Sequence, residues 1–257
     1  MPGDRMKIWD GVYGSFAEAQ ADASVFDEDI WLGKVTERAR AALDASRVAA
    51  TVAPVAETRE YALPIVAAMA AEPGKTLRIL DFGGGLATSF VPLAKMLPEG
   101  QSLEFVVVEK DAVCVRGAEL FGDDARVRFQ SDLPVDGARF DIVHCGSSLH
   151  YVDDWQDVMR KFIDYRPQAL VIADLPAADN ASFVTAQSFY GKRIPVRFWN
   201  LDAFVASVAE MGYALAFKAR YRNPALDLSL ETEMSHFDEA HQLGYFAQLI
   251  FRPASNP

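Results

Sequence analysis

The chain predicts an α/β fold: a Rossmann-like, seven-stranded, mostly parallel sheet with a terminal antiparallel hairpin, preceded by an N-terminal helical segment. Three observations carry this. From Thr76 to Asp174, apolar runs of strand length alternate with helix-length amphipathic stretches. The first run, residues 77–82, leads straight into three consecutive glycines, Gly83, Gly84 and Gly85. The last two apolar stretches, 213–222 and 244–251, have no helix between them, which predicts an antiparallel pair at the end of the sheet.

The elements follow in order. Residues 1–75 are expected to form a helical cap and residues 76–257 the main domain. The chain opens with an aromatic, glycine-containing loop carrying Trp9, Gly11, Tyr13, Gly14 and Phe16. A helix over 27–45 places Ile30, Trp31, Val35 and Ala39 on one side; a second over 55–71 ends before Pro73-Gly74. This segment either covers the open edge of a ligand site or simply packs on the sheet. Next come a strand at 77–82, a helix at 88–97 stopped by Pro98 and Gly100, a strand at 103–108, a helix at 111–121, and strands at 126–130 and 140–145. Asp153 and Gln156 have capping-box spacing at the start of a helix that aligns Trp155, Val158, Met159, Phe162 and Ile163. A fifth strand spans 169–173, and 175–199 reads as a loop-rich insertion. Asn200 is the expected N-cap of a helix with the stripe Leu201, Phe204, Val205, Val208 and Met211, stopped by Gly212.

Composition narrows the partners. Among 257 residues, 25 Lys and Arg face 36 Asp and Glu, for a net charge of −11. That balance argues against nucleic acid, whose binding by counterion release needs a basic face. The two cysteines, Cys114 and Cys145, suit reduced thiols in a cytoplasmic protein. No Cys and His spacing matches a metal site, so no metal is expected. No signal peptide and no stretch of the ~20 apolar residues a membrane span needs are read from the chain. Homo-oligomerisation stays open.

The strand tips carry the chemistry. The glycines after the first strand leave room for a ligand to approach the backbone, and Asp81 is placed to accept a hydrogen bond from that ligand's ammonium, directly or through water. Glu109 ends the second strand, where a carboxylate can accept from both hydroxyls of a ribose; the alternative is a solvated strand-end acid. Asp132 follows the third strand and can take an adenine amine with Leu133 against the ring, or can simply form a turn. Gly146, at the tip of the fourth strand, joins this set. A dinucleotide fingerprint would want glycine or alanine where Thr88 stands, which counts against NAD.

Together Ile79-Leu80-Asp81-Phe82-Gly83-Gly84-Gly85, Val108-Glu109, Ser131-Asp132-Leu133 and Ser147-Ser148-Leu149-His150-Tyr151-Val152 resemble the class I S-adenosyl-L-methionine (SAM)-dependent methyltransferases, over residues 76–252. Trp9-Asp10-Gly11-Val12-Tyr13 with the triple-glycine strand resembles, more narrowly, bacterial methyltransferases associated with surface-polysaccharide gene clusters. The chain departs from that family in having Ala173-Asp174-Leu175-Pro176 where an Arg-Thr pair would follow the fifth strand. The resemblance implies SAM as cofactor, held by Asp81, Gly83, Gly84, Gly85, Glu109, Asp132, Leu133 and Gly146. It implies methyl transfer by direct displacement to a small-molecule acceptor, with a sugar or sugar nucleotide methylated on oxygen as the specific expectation. An alcohol needs a base. The candidates are His150, otherwise a packed cofactor-adjacent residue, and Asp174, otherwise a loop brace; His144, inside its strand, reads as a core histidine. Trp9, Tyr13, Gln187, Tyr190, Arg197 and Trp199 are the expected acceptor contacts. The rival readings are an NAD-dependent oxidoreductase and a non-catalytic SAM-binding module.

Overall fold

A computed structural model describes residues 7–19, 29–48, 61–221 and 234–254. Its elements are β1 (Trp9–Tyr13), α1 (Asp29–Val48), α2 (Ala62–Ala70), β2 (Leu77–Phe82), α3 (Phe90–Met96), β3 (Leu103–Val108), α4 (Asp111–Phe121), β4 (Val127–Gln130), β5 (Ile142–Gly146), α5 (Trp155–Asp164), β6 (Ala169–Leu175), β7 (Ala177–Ala178), β8 (Phe183–Phe189), β9 (Lys192–Asn200), α6 (Leu201–Glu210), β10 (Tyr213–Tyr221) and β11 (Phe246–Pro253). The expected strand at 140–145 starts two residues later, and the expected helix at 55–71 is seen as α2, its residues 55–60 lying outside the described residues.

Seven strands form one sheet in the order β10-β11-β6-β5-β2-β3-β4. All neighbours are parallel except β11, which runs antiparallel to both β6 and β10. This is the predicted architecture. Alternate residues of the central strands serve two cores. Ile79, Phe105, Ile142 and Val171 meet Leu63 and Val66 of α2 and Phe90 and Leu93 of α3. Leu80, Val106, Val143 and Leu170 meet Met159 and Phe162 of α5 and Phe204 and Val208 of α6. Burial on both faces is what near-continuous apolar strands require.

Three expectations are corrected. The insertion is not loop-rich: β8 and β9 form a two-residue hairpin in which Phe189 pairs with Lys192 across Tyr190 and Gly191. Both turn residues have positive φ, 48° and 78°, the geometry that suits the twist of a tight hairpin. Pro195 obscured β9, because proline reads against a central strand; here β9 is partnered by β7 only at Trp199 and Asn200, so Pro195 has a free edge. The aromatic N-terminal loop is a strand: β1 pairs antiparallel with β8, Trp9 opposite Gln187 and Tyr13 opposite Val184, completing a four-stranded sheet, β1-β8-β9-β7. The capping box does not form. Asp154 precedes α5 without a side-chain cap, and Asp153 instead receives Arg197 at 3.1 Å. The Asn200 cap is present, accepting from the Ala203 N–H at 3.0 Å. None of the described helices is long and apolar enough to cross a membrane.

Candidate functional site

The chain enters the large sheet at its centre with β2, moves outward through β3 and β4, and returns to β5 on the other side of β2. The strand order therefore reverses between β2 and β5, and the carboxyl ends there open the crevice where such sheets bind ligands. Gly83–85, Glu109, Asp132, Gly146 and Asp174 all fall on that edge.

The three glycines serve different ends. A Cβ on Gly83 would lie 2.3 Å from the Cβ of Ser148, and one on Gly84 would lie 2.3 Å from Asp81 Oδ2, so the chain's own side chains exclude larger residues there. Gly85 differs. Its φ is +56° and the nearest atom to an added Cβ is Val35 Cγ1 at 3.9 Å, an ordinary contact, so it is the backbone conformation and not crowding that calls for glycine here. Asp81 has no exposed surface. Ser89 Oγ donates to one of its oxygens at 2.7 Å and His144 Nδ1 lies 2.7 Å from the other. Asp81 thus underpins the glycine loop from within instead of presenting an open oxygen to an ammonium. His144 is the packed histidine expected, with this partner as its reason for being buried.

Glu109 is half-buried. Its Oε1 accepts from the Gly85 N–H at 3.2 Å and its Oε2 from the Lys110 N–H at 3.0 Å. Desolvation holds its carboxyl above the usual range, although both backbone donors pull the other way. Two oxygens with about four acceptor positions and two donors leave capacity for a diol. Asp132 is exposed; Leu133, next to it, and Gly146, at the end of β5 on the other side of β2, are half-buried. Across the loop, α1 lays Ala39, Val35 and Leu32 on Leu86 and Val113. A cavity of about 330 Å³ between α1 and α4 is lined by Leu32, Gly33, Thr36, Glu37, Arg40 and Arg116; none of the expected ligand residues lines it.

A second polar cluster joins the ends of β5 and β6 to the hairpin. Ser147 Oγ donates a short hydrogen bond to Asp174 Oδ2. Tyr151, in a 3-10 turn with Leu149 and His150, donates to Gln187 Oε1 at 2.9 Å. Burial, and then the charge of Asp174, push the Tyr151 hydroxyl well up. His150 is buried with its ring 4.1 Å from that of Tyr151, and burial alone pulls its imidazole down to about 3. Its Nδ1 has no hydrogen-bond partner among the described residues.

The expected acceptor residues divide. Only Gln187 joins this cluster. Trp9 is 3% exposed, edge-on to Phe198 at 5.7 Å, and anchors β1. Trp199 is equally buried, against Trp155 and Phe204. Arg197 is tied to Asp153 and lies over the Phe16 ring, Tyr13 accepts from Arg193, and Tyr190 lies under Lys34 Nζ at 4.5 Å. These cations join the N-terminal segment to the hairpin. Sequence reasoning missed Ser147 and Ser89. Ser147 had a signal in its place just past a strand tip; Ser89 had none beyond following the glycines.

A family model described as a methyltransferase domain matches residues 55–216. Solved structures share the fold at low identity. An S-adenosylmethionine-dependent methyltransferase from Mesorhizobium loti is 14% identical, covers 76% of this chain and 98% of its own, and gives a TM-score of 0.51. The 1,6-didemethyltoxoflavin-N1-methyltransferase of Burkholderia thailandensis, with bound 1,6-didemethyltoxoflavin and S-adenosylhomocysteine, is 15% identical, with 91% and 93% coverage and a TM-score of 0.53. The [4+2]-cyclase SpnF is 12% identical, with 96% and 100% coverage and a TM-score of 0.52. One fold thus carries more than one chemistry. No curated protein matches the chain.

Proposed function

This chain belongs to the methyltransferase-domain family, and from that premise we propose that it is a SAM-dependent methyltransferase acting on oxygen of a small polyhydroxylated acceptor such as a sugar, sugar nucleotide or surface-glycan precursor. The observation that carries the cofactor reading is Glu109: a desolvated carboxylate with unused acceptor capacity, hydrogen-bonded to the one glycine of the loop where an added Cβ would meet no clash. The donor chemistry fits a ribose diol at Glu109 and an amino-acid moiety along Gly85. Gly83, Gly84 and Asp81 fix the loop's shape, while Asp132, Leu133 and Gly146 flank the adenosine end. Within the segment 1–75, α1 acts as the cap through its packing on Leu86.

Bound there, the cofactor supplies a sulfonium methyl: the acceptor oxygen forms the new C–O bond, the S–CH3 bond breaks with its electron pair left on sulfur, and the hydroxyl proton remains to be removed. The protein's part is to align the acceptor, exclude water and accept that proton. The acidic chain and the engagement of Arg193 and Arg197 within the fold favour recognition of the acceptor through its uncharged, hydroxylated sugar moiety, held by the Tyr151, Gln187 and Asp174 cluster. Cytoplasmic action belongs to the same reading.

Thermal shift with S-adenosylhomocysteine against NADH tests it. Ligand at about 100 times its dissociation constant stabilises the fold by about 2.7 kcal/mol. A shift with NADH and none with S-adenosylhomocysteine overturns the assignment. Mass spectrometry for the gain of one methyl group across a panel of sugars and sugar nucleotides then identifies the acceptor.

A further inference from the structure

We propose that Asp174 takes the proton of the acceptor hydroxyl and that Ser147 is the positioning residue that fixes its carboxylate; this rests on the methyltransferase reading and deepens it. The backbone of both residues is unusual. Ser147 has φ +55° and Asp174 φ +52°, so two non-glycine residues occupy the left-handed region at neighbouring strand ends. One hydrogen bond joins them, from Ser147 Oγ to Asp174 Oδ2, and the Ser147 N–H donates to the carbonyl of the neighbouring Ala173 at 3.1 Å.

Sheet pairing shows how Asp174 arrives there. Ala247 pairs with Leu175 and Leu249 with Ile172, so Ala173 and Asp174 together oppose Gln248. This is a β-bulge, a device that re-aims a side chain at the cost of local regularity. The re-aimed group is a carboxylate that is 6% exposed. Glycine or asparagine would sit in this backbone with less strain, and neither would bury a charge. Strain and a buried charge concentrated on one pair are what a functional site retains and a mere brace does not.

The pair also lies beside the cofactor loop. Ser148, the next residue, packs against Gly83 and donates to the Phe82 carbonyl at 2.8 Å. Across the cluster, the Tyr151 hydroxyl is committed to Gln187, which leaves Asp174 as the ionisable oxygen group facing a hydroxyl acceptor. The rival base, His150, is buried, and that burial lowers its imidazole to about 3, which takes away the advantage a histidine ordinarily has over a carboxylate as a base. As the C–O bond forms, the hydroxyl proton passes to the Asp174 carboxylate and leaves to water with the product.

The test compares the full-length parent with Asp174→Asn and Ser147→Ala in three readouts: melting temperature, the melting shift with S-adenosylhomocysteine, and methyl gain on the parent's best hydroxylated acceptor as a function of pH. Asp174→Asn is expected to melt at or above the parent temperature, to keep the full S-adenosylhomocysteine shift, and to lose about a hundred-fold or more in turnover. Ser147→Ala removes a donor to the carboxylate, so the acidic limb of the kcat profile should move to higher pH, which loss of packing alone would not do. Parent-like turnover in Asp174→Asn, a melting temperature several degrees lower or a failure to fold, or an unmoved profile in Ser147→Ala overturns the proposal. A parent that methylates only nitrogen or carbon acceptors overturns it too. A parent with no S-adenosylhomocysteine shift instead removes the methyltransferase reading, a separate outcome.

Discussion

The neutral burial of His150 makes a measurable demand on stability. In the unfolded chain its imidazole takes a proton near the ordinary value of 6.5; in the folded protein burial lowers that to about 3. The folded pKa is depressed, so the unfolded state binds the proton first as pH falls. Stability is therefore full above pH 6.5 and declines as the solution is acidified below it. Each pH unit in that window costs about 1.4 kcal/mol. Between pH 7 and pH 5 His150 alone removes about 2 kcal/mol, a sizeable share of a domain's stability. The ring is enclosed and its shift comes from burial, so there is little solvent screening to weaken it. The perturbation is His150→Phe, which keeps an aromatic ring beside Tyr151 and cannot titrate. Urea unfolding of parent and variant at pH 7 and pH 5 gives four free energies, and carboxylates common to both cancel in the difference of differences. That residue should be about 2 kcal/mol, with the variant less sensitive to acid. Equal acid losses in the two proteins would falsify the claim that His150 is held neutral, and with it the preference for Asp174 as proton acceptor.

Further outcomes are expected. Because the Glu109 carboxyl is raised and a ribose diol donates to its ionised form, affinity for S-adenosylhomocysteine should fall as pH is lowered through a window above the ordinary 4.5; Glu109→Gln should bind weakly and without that dependence, by titration calorimetry. Gly85→Ala and Gly191→Ala both force alanine into a left-handed backbone and should each destabilise by roughly 1–2 kcal/mol, but only the first should weaken S-adenosylhomocysteine binding. Equal binding by the two variants would remove Gly85 from the cofactor site. Asn200→Ala deletes the α6 cap and should lower stability by about 1 kcal/mol in denaturant titration, leaving cofactor affinity at the parent value.

Much of the fold was legible because it is written in local pattern. The strand at 103–108 and the helix at 111–121 coincide with β3 and α4, since an apolar run interrupted only by Glu104 favours a buried strand and an amphipathic stretch of helix length favours a helix. Gly83–85 and Glu109 were legible as residues of the sheet's carboxyl edge because each follows directly from a strand. The hairpin was not, because Pro195 argues against a strand until the free edge of β9 is known.

The sequence by itself determined the parallel sheet, its antiparallel end and the identity of the residues on its carboxyl edge, since burial on two faces and strand-helix alternation are properties of neighbours along the chain. Tertiary structure alone decided what those residues do. It turned Asp81 inward to Ser89 and His144, buried Trp9 and Trp199 in separate cores, spent Arg197 on Asp153, and paired Ser147 with Asp174. Such assignments depend on contacts between residues far apart in sequence, and a bulge opposite Gln248 or a desolvated His150 exists only once the sheet and the hairpin have closed around it.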